Sequence, residues 1–575
     1  MANKTTAEKL ATIQKGYTLE GATIELGAAI VDGELHKEAQ VRLPLAMMNR
    51  HGLVAGATGT GKTVTLHMMA EQLSAAGVPV FLADIKGDLS GLATAAAGSD
   101  KLKARTDSIG QVWAGKTFPV EFLALGGDGN GIPVRATITS FGPILLSRVM
   151  ELNDTQESSL QLVFHFADKN NLELIDLKDL RAVIQFLTSD EGKDELEELG
   201  GLSKATAGVI LRELVNLEAQ GLERFFGEPE FDTAELLRTA PDGRGVITCL
   251  ELPTLQTKPM LFSTFLMWLL ADLFEDLPEA GDLDKPKLVF FLDEAHLLFN
   301  GASKAFLNAI TTTVRLIRSK GVGIFFVTQT PKDVPADVLG QLANRIQHAL
   351  RAFTPEDAKA LKATVSTFPM SDYDLEETLT SAGIGEAVIT VMNEKGAPTP
   401  VAHTRLRAPE SVMGPSTEEL IKSTVGGSAL LAKYGTAVDN ISAYEKLTGK
   451  GAAPTGGAAP GEPPVPGTSG QPGPGQAGSD QADVDVDAEA RRIEEEILGR
   501  PSSRPAPDRG AGTDAPSRRA PEPAAPAGGG MVGDLAGALG GALGGGLKSM
   551  VRSLGTQLGR ELLRGVFGTS SRRRR

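Results

Sequence analysis

The sequence predicts an α/β fold with a mainly parallel central sheet, and three segments carry that expectation. Gly52-Leu53-Val54-Ala55, Leu288-Val289-Phe290-Phe291-Leu292 and Val322-Gly323-Ile324-Phe325-Phe326-Val327-Thr328 are short apolar runs without alternation, the pattern of strands covered on both faces. Each runs at its carboxyl end into glycine or polar residues, where open α/β sheets place their ligands. Around this core the sequence sets an inserted all-helical subdomain, a Pro/Gly/Ala-rich linker expected to be disordered, and a short amphipathic C-terminal helix.

Residues 1–20 read as an N-terminal extension and 21–146 as the first part of the core. Residues 56–63, Gly-Ala-Thr-Gly-Thr-Gly-Lys-Thr, match the phosphate-gripping pattern G-x-x-x-x-G-K-[ST] in full. An apolar strand precedes the loop, and Leu66, Met69, Ala70 and Leu73 recur with helical spacing after it. That context disfavours the plainer reading of a chance glycine-rich turn. Gly56, Ala57, Thr58, Gly59, Thr60, Gly61, Lys62, Thr63 and Val64 are therefore the candidate nucleotide-binding set. Gly59 and Gly61 let backbone N–H groups turn inward on a phosphate, and the helix N-terminus adds its partial positive charge. Lys62 is expected at the β and γ phosphates of ATP and the Thr63 hydroxyl on Mg²⁺.

The stretch 147–230 lacks strand alternation. Leu160, Val163 and Phe166, then Leu180, Val183, Ile184 and Leu187, then Ile210, Leu214 and Leu217 stand at helical spacing. This is the helical insertion. Its acidic run from Asp190 to Glu198 reads as a solvated helix face, with a protein-docking surface as the weaker alternative. The second part of the core, 231–410, resumes with a strand over Arg244–Glu251. It closes with Glu386–Val391 and Pro400–Arg405, a hairpin-like pair placed at a candidate ring interface.

Between these lies the acidic strand. Leu288–Leu292 delivers Asp293 and Glu294 at its carboxyl edge, where Asp293 would hold Mg²⁺ through water and Glu294 would polarise the water that attacks the γ-phosphate. A helix-capping Asp-Glu pair is the plainer alternative for Glu294. His296 has no cysteine or second histidine at ligand spacing, so it reads as a packed or hydrogen-bonding residue. Gln329, at the tip of the third strand, carries an amide that can donate to a phosphate oxygen and accept from water. Arg315 and Arg318 stand three apart on one helical face, either a solvated pair or an arginine that reaches a neighbouring subunit's site.

Taken together, GATGTGKT, FLDEAHLLF, the arginine pair and FVTQTP resemble the HerA–FtsK branch of P-loop ATPases, and within it the HerA-like proteins of the YjgR type. The resemblance runs from about Gly21 to about Arg407. It takes in Ala83-Asp84-Ile85-Lys86-Gly87-Asp88-Leu89 and Asn344-Arg345, which it sets in a helix after the third strand. It implies a RecA-like core, a homo-hexameric ring, ATP and Mg²⁺ as cofactors, and ATP-driven movement of DNA. It also makes Arg318, eleven residues before Gln329, the first choice for a trans-acting finger and Arg315 the second. HerA helicases begin with a β-barrel that docks a nuclease; too few residues precede Gly56 for it, so no barrel-docked nuclease is expected. The function expected is a DNA translocase or helicase, with an ATP-driven remodeller of protein or membrane-associated complexes as the alternative.

Residues 411–450 read as a helical C-terminal extension, 451–530 as the linker and 531–575 as the tail. Leu535, Leu539, Leu543 and Leu547 recur every fourth residue, and the tail's eight basic residues outnumber its two acidic ones. Such a segment suits an anionic membrane surface, nucleic acid or packing in an oligomer, and it is the part through which a protein partner is expected. The net charge of −15 leaves a DNA reading resting on local basic groups rather than on the whole surface. A single cysteine, Cys249, excludes an internal disulfide, and with no signal-type N-terminus the expected location is cytoplasmic, at most peripheral to the inner face of the membrane.

Overall fold

Asp32 and Gly33 both lie at positive φ, 51° and 84°. This two-residue turn folds β1 (Thr23–Val31) back on β2 (Glu34–Pro44) as an antiparallel hairpin. The computed structural model describes residues 4–449 apart from 127, 128, 199, 253–257, 282, 301 and 303, so the linker and tail expected at 451–575 lie outside the described residues. Eight further strands run parallel to their neighbours: β3 (Gly52–Ala55), β4 (Val80–Asp84), β5 (Val120–Leu125), β6 (Ile132–Val134), β7 (Ile247–Glu251), β8 (Leu288–Leu292), β9 (Val322–Thr328) and β10 (Asn344–His348). Then β11 (Glu386–Thr390) and β12 (Ala402–Leu406) return antiparallel and join β10 to the hairpin. The sheet order is β2-β1-β12-β11-β10-β3-β9-β8-β4-β7-β5-β6. The α/β class and the mainly parallel, RecA-like sheet read from the sequence are what the chain forms.

The pair at Glu386 and Pro400 is thus a genuine antiparallel pair, set inside the sheet between β10 and β1. The three apolar runs stand side by side as β3, β9 and β8, and even there the strand period of two persists. Phe290, Ile324 and Phe326 enter the core on one face, while Phe291, Phe325 and Val327 enter it on the other.

After α1 (Thr6–Gly16) come α2 (Lys62–Ala75) and α3 (Asp100–Ile109). Before the stretch read as helical stand α4 (Ile138–Phe141) and most of α5 (Pro143–Val149), and within it lie α6 (Asp154–Lys169), α7 (Leu177–Leu187), α8 (Lys193–Glu198) and α9 (Lys204–Ala219). Its buried Leu160, Val183 and Leu214 belong to the same core as Phe81 and Phe290 of the sheet. Next follow α10 (Pro259–Asp276), α11 (His296–Phe299) and α12 (Lys304–Ile317). α10 is apolar around its whole circumference, and it is buried accordingly, with Phe265, Trp268 and Leu269 at its centre. No described helix is long and apolar enough to cross a membrane.

The resemblance set Asn344-Arg345 in a helix; they open β10 instead, with Asn344 opposite Gly52. The buried carboxamide accounts for the difference, since it is fully used in that position. Asn344 Nδ2 donates to the carbonyls of Met47 and His51 at 3.0 Å each, and Oδ1 accepts from Met392 N at 3.1 Å. His51 completes the joint. Its Nδ1 accepts from Ile324 N at 3.0 Å, which leaves Nε2 to donate to the Val314 carbonyl at 2.6 Å.

Burial pushes the His51 ring down to about 4 from its ordinary 6.5. The unfolded chain therefore takes up its proton first as pH falls, and the stability that neutral His51 contributes is complete above pH 6.5 and lost by about pH 4. His51→Leu should lower the unfolding free energy at pH 7.5 by about 2–4 kcal/mol, because two buried backbone groups lose their partner. In denaturant titrations at several pH values, the wild type's advantage over the variant should shrink across that window; a constant advantage would mean that the ring binds its proton equally well in the folded and unfolded chain.

Candidate nucleotide site

The register of β3 with its neighbours sets the site, because Ala55 lies opposite Thr328 on one side and Gln347 on the other. The chain leaves β3 as a loop anchored at both ends. Gly56 N–H is shared between the carbonyls of Thr328 and Gln329 at 3.2 and 3.1 Å, and Ala57 N donates to Ala349 O at 2.9 Å. Farther along, Gly385 N donates to Thr60 O at 2.9 Å, and Thr60 Oγ1 closes back on Ala57 O at 2.7 Å. Gly59 and Gly61 take φ of 77° and 115°, a region costly for any other residue. A Cβ on Gly59 would meet nothing within 4 Å, so the crown of the loop faces open space. Gly61 caps α2, whose first residue is Lys62. The Lys62 ammonium bonds the carbonyls of Gly56 at 2.7 Å and Ala57 at 3.3 Å, and burial makes it a weaker base than usual. Thr58 and Gly59 are exposed, Thr63 and Val64 half-buried at the start of the helix.

Asp293 and Glu294 follow β8 at the same edge, both buried. Asp293 accepts the Glu294 N–H at 2.8 Å. Burial first, then the charges of Glu294 and Asp88, push its carboxyl up to about 6, with Lys86 pulling the other way. A buried acid with one short hydrogen bond and a raised affinity for protons is a natural cation ligand, so Asp293 with the Thr63 hydroxyl suits Mg²⁺. Glu294 takes φ 46°, unusual for a residue with a side chain. One of its oxygens is bonded by the Lys86 ammonium. The other is buried without a hydrogen-bond partner, and His296 Nδ1 lies 3.2 Å from it. The packed role read for His296 is therefore contact with Glu294. Lys86 stands on the loop after β4, whose shape is set by Asp84 accepting from Gly87 N at 2.7 Å and Leu89 N at 3.0 Å. Sequence reading noted that loop without assigning Lys86 a partner. The strand order that puts β4 beside β8 was the missing piece.

Gln329 is exposed at the end of β9, adjoining the loop through its own carbonyl. The arginines lie elsewhere. Arg315 lies in the last turn of α12 and Arg318 opens the following 3-10 turn, both exposed and both before β9 begins. Seven residues of strand, about 20 Å, separate that amino edge from the phosphate loop. Partial desolvation of its guanidinium, then the neighbouring charge of Arg50, whose Nε is buried without a hydrogen-bond partner, hold Arg318 below its usual range. The structure thus brings Gly56–Val64, Asp293, Glu294 and Gln329 together and leaves Arg315 and Arg318 at the far edge.

Comparison with known proteins bears on the family of the chain. A family model described as Helicase HerA-like C-terminal matches residues 30–496. The chain is 23% identical over 368 residues to the DNA double-strand break repair helicase HerA of Saccharolobus solfataricus, spanning 61% of this chain and 64% of that one. The protein of the same description from Sulfurisphaera tokodaii is 24% identical over 393 residues, 67% of this chain and 70% of that one. Among solved structures, a bacterial conjugative coupling protein, TrwBdeltaN70, is 14% identical with a TM-score of 0.45, covering 71% of this chain and 95% of its own. Since the family model spans most of its length, the chain belongs to the HerA-like C-terminal helicase family.

Proposed function

We propose that the protein is an ATP-hydrolysing motor that moves along or unwinds DNA, working as a homo-hexameric ring. The observation that supports hydrolysis most directly is the meeting of Lys62 and Glu294 at one sheet edge, with one Glu294 oxygen buried and unpartnered. A phosphate held by the loop N–H groups and Lys62 lies beside a carboxylate able to accept a proton from water. In this reading Thr63 and Asp293 hold Mg²⁺, which when bound neutralises charge on the β and γ phosphates. Gln329 contacts the γ-phosphate or the water, and its backbone tie to Gly56 keeps it in range.

The ring is supported by the arginines. An Arg318 at the amino edge cannot serve the site of its own chain, whereas a neighbouring subunit can receive it, with Arg50 at its side and Arg315 one turn earlier. DNA as the track rests on the family relatives, which are helicases by description. The test is ATP turnover with and without duplex DNA. Stimulation together with DNA-strand displacement or translocation supports the reading, and turnover indifferent to DNA would favour the remodelling of protein or membrane-associated complexes.

Two variants separate binding from chemistry. Lys62→Ala should weaken nucleotide binding, since a point charge on the phosphates is lost. Glu294→Gln should keep binding within a few-fold while turnover falls by about 10²–10⁴, the usual contribution of a general base. Equal loss of binding in both would make Glu294 a structural residue.

Arg318→Ala alone should bind ATP normally and hydrolyse it up to about 10³-fold more slowly. Mixed with Lys62→Ala under conditions of subunit exchange, it should regain activity, because some interfaces then combine one intact half from each variant. Absence of recovery in demonstrably mixed oligomers would rule out a shared site.

A further inference from the structure

Glu294 is buried at a strained backbone position, yet its two oxygens are treated differently. The Lys86 ammonium bonds one oxygen. The other is buried without a hydrogen bond, with His296 Nδ1 3.2 Å away. A carboxyl oxygen buried without a hydrogen bond is costly, and such positions mark places where a further ligand is accommodated. Lys86 itself is half-exposed, so burial does not force the contact. Its loop is tethered from below by Asp84, 2% exposed, whose two oxygens accept the backbone N–H groups of Gly87 and Leu89. Gly87, at φ 75°, provides the bend between them.

We propose that Lys86 is a positioning residue for hydrolysis: it fixes one oxygen of Glu294 so that the other is held ready for the attacking water. This rests on the assignment of Glu294 under the proposed function. The geometry favours positioning over inhibition, because Lys86 bonds one oxygen of the acid and leaves the other, which faces His296 Nδ1 at 3.2 Å, without a cation locked onto it. It also favours positioning over direct phosphate binding, since the phosphate loop already has Lys62 bonded along its own carbonyls and Lys86 is turned to the acid. Asp84 acts one step farther back, through the loop.

The decisive measurement is steady-state ATP turnover of the full-length protein carrying Lys86→Met, Lys86→Arg, Glu294→Gln and the Lys86→Met/Glu294→Gln pair, with nucleotide binding and thermal unfolding followed in parallel. Lys86→Met should lower kcat at least about tenfold with KM within about threefold of the wild type, and Lys86→Arg should recover most of the loss. The double variant should be no slower than Glu294→Gln alone, because Lys86 acts through that carboxylate. Unchanged or faster turnover in Lys86→Met, a rise in KM that accounts for the loss, or additive losses in the double variant would each overturn the proposal. A Glu294→Gln protein that hydrolyses ATP like the wild type would instead remove the assignment of Glu294 on which it rests.

Discussion

A loop that turns its backbone N–H groups toward an anion cannot also use them to hold itself in shape, so something outside it must do so. Here the outside support comes from three strands. β9 receives the Gly56 N–H, Ala349 just past β10 receives that of Ala57, and the turn into β11 donates through Gly385 to the Thr60 carbonyl. Lys62 closes the arrangement from within by bonding the Gly56 and Ala57 carbonyls. The packing behind the loop is equally tight: a Cβ on Gly56 would stand 2.4 Å from His348 Cβ, and His348 Nε2 is in turn 2.9 Å from the Thr65 hydroxyl of α2.

This requirement explains why the sheet does not stop at its parallel strands. β11 must sit beside β10 for Gly385 to reach the loop, and it runs antiparallel there because its start, not its end, is the part needed. Arg105 on α3 steadies the same turn by donating to Gly385 O at 2.9 Å and Leu406 O at 3.1 Å. Glu386, next in the chain, is held well below the usual carboxylate range, to about 2, by His403 first and also by Gly383 N and Arg405. β12 and the β1–β2 hairpin then cover what would be the open edge of β11.

The parts legible in the sequence were those where a short apolar run meets a polar tip, because burial on both faces and chemistry at the end leave opposite residue types a few positions apart. β3, β8 and β9 declare themselves this way, and with them Lys62, Asp293, Glu294 and Gln329. The β1–β2 hairpin was also written there, in the Asp32-Gly33 turn between alternating segments, but a search for unbroken apolar runs passes over strands with a solvated face. Asn344 was misplaced for a different reason. Its burial depends on carbonyls from Met47 and His51, about three hundred residues earlier, and nothing local reveals them. The distance of Arg318 from its own loop was likewise invisible, since spacing along the chain gives no sense of which sheet edge a turn occupies.

Two aspartates end neighbouring strands at the site, and their unequal partners give them unequal work. Burial pushes both Asp84 and Asp293 up to about 6. Asp84 uses both oxygens on backbone N–H groups and so is consumed in shaping the Lys86 loop. Among the described residues Asp293 accepts the Glu294 N–H, a single donor against the two that Asp84 holds. Each carboxylate adds negative potential that disfavours the other's ionisation, and in the proposed reading a divalent cation held by Asp293 would relieve that repulsion more than a proton can. The cost of crowding acids at one edge is thus largest without nucleotide and metal and smallest with them, which couples occupation of the site to the stability of the sheet around it.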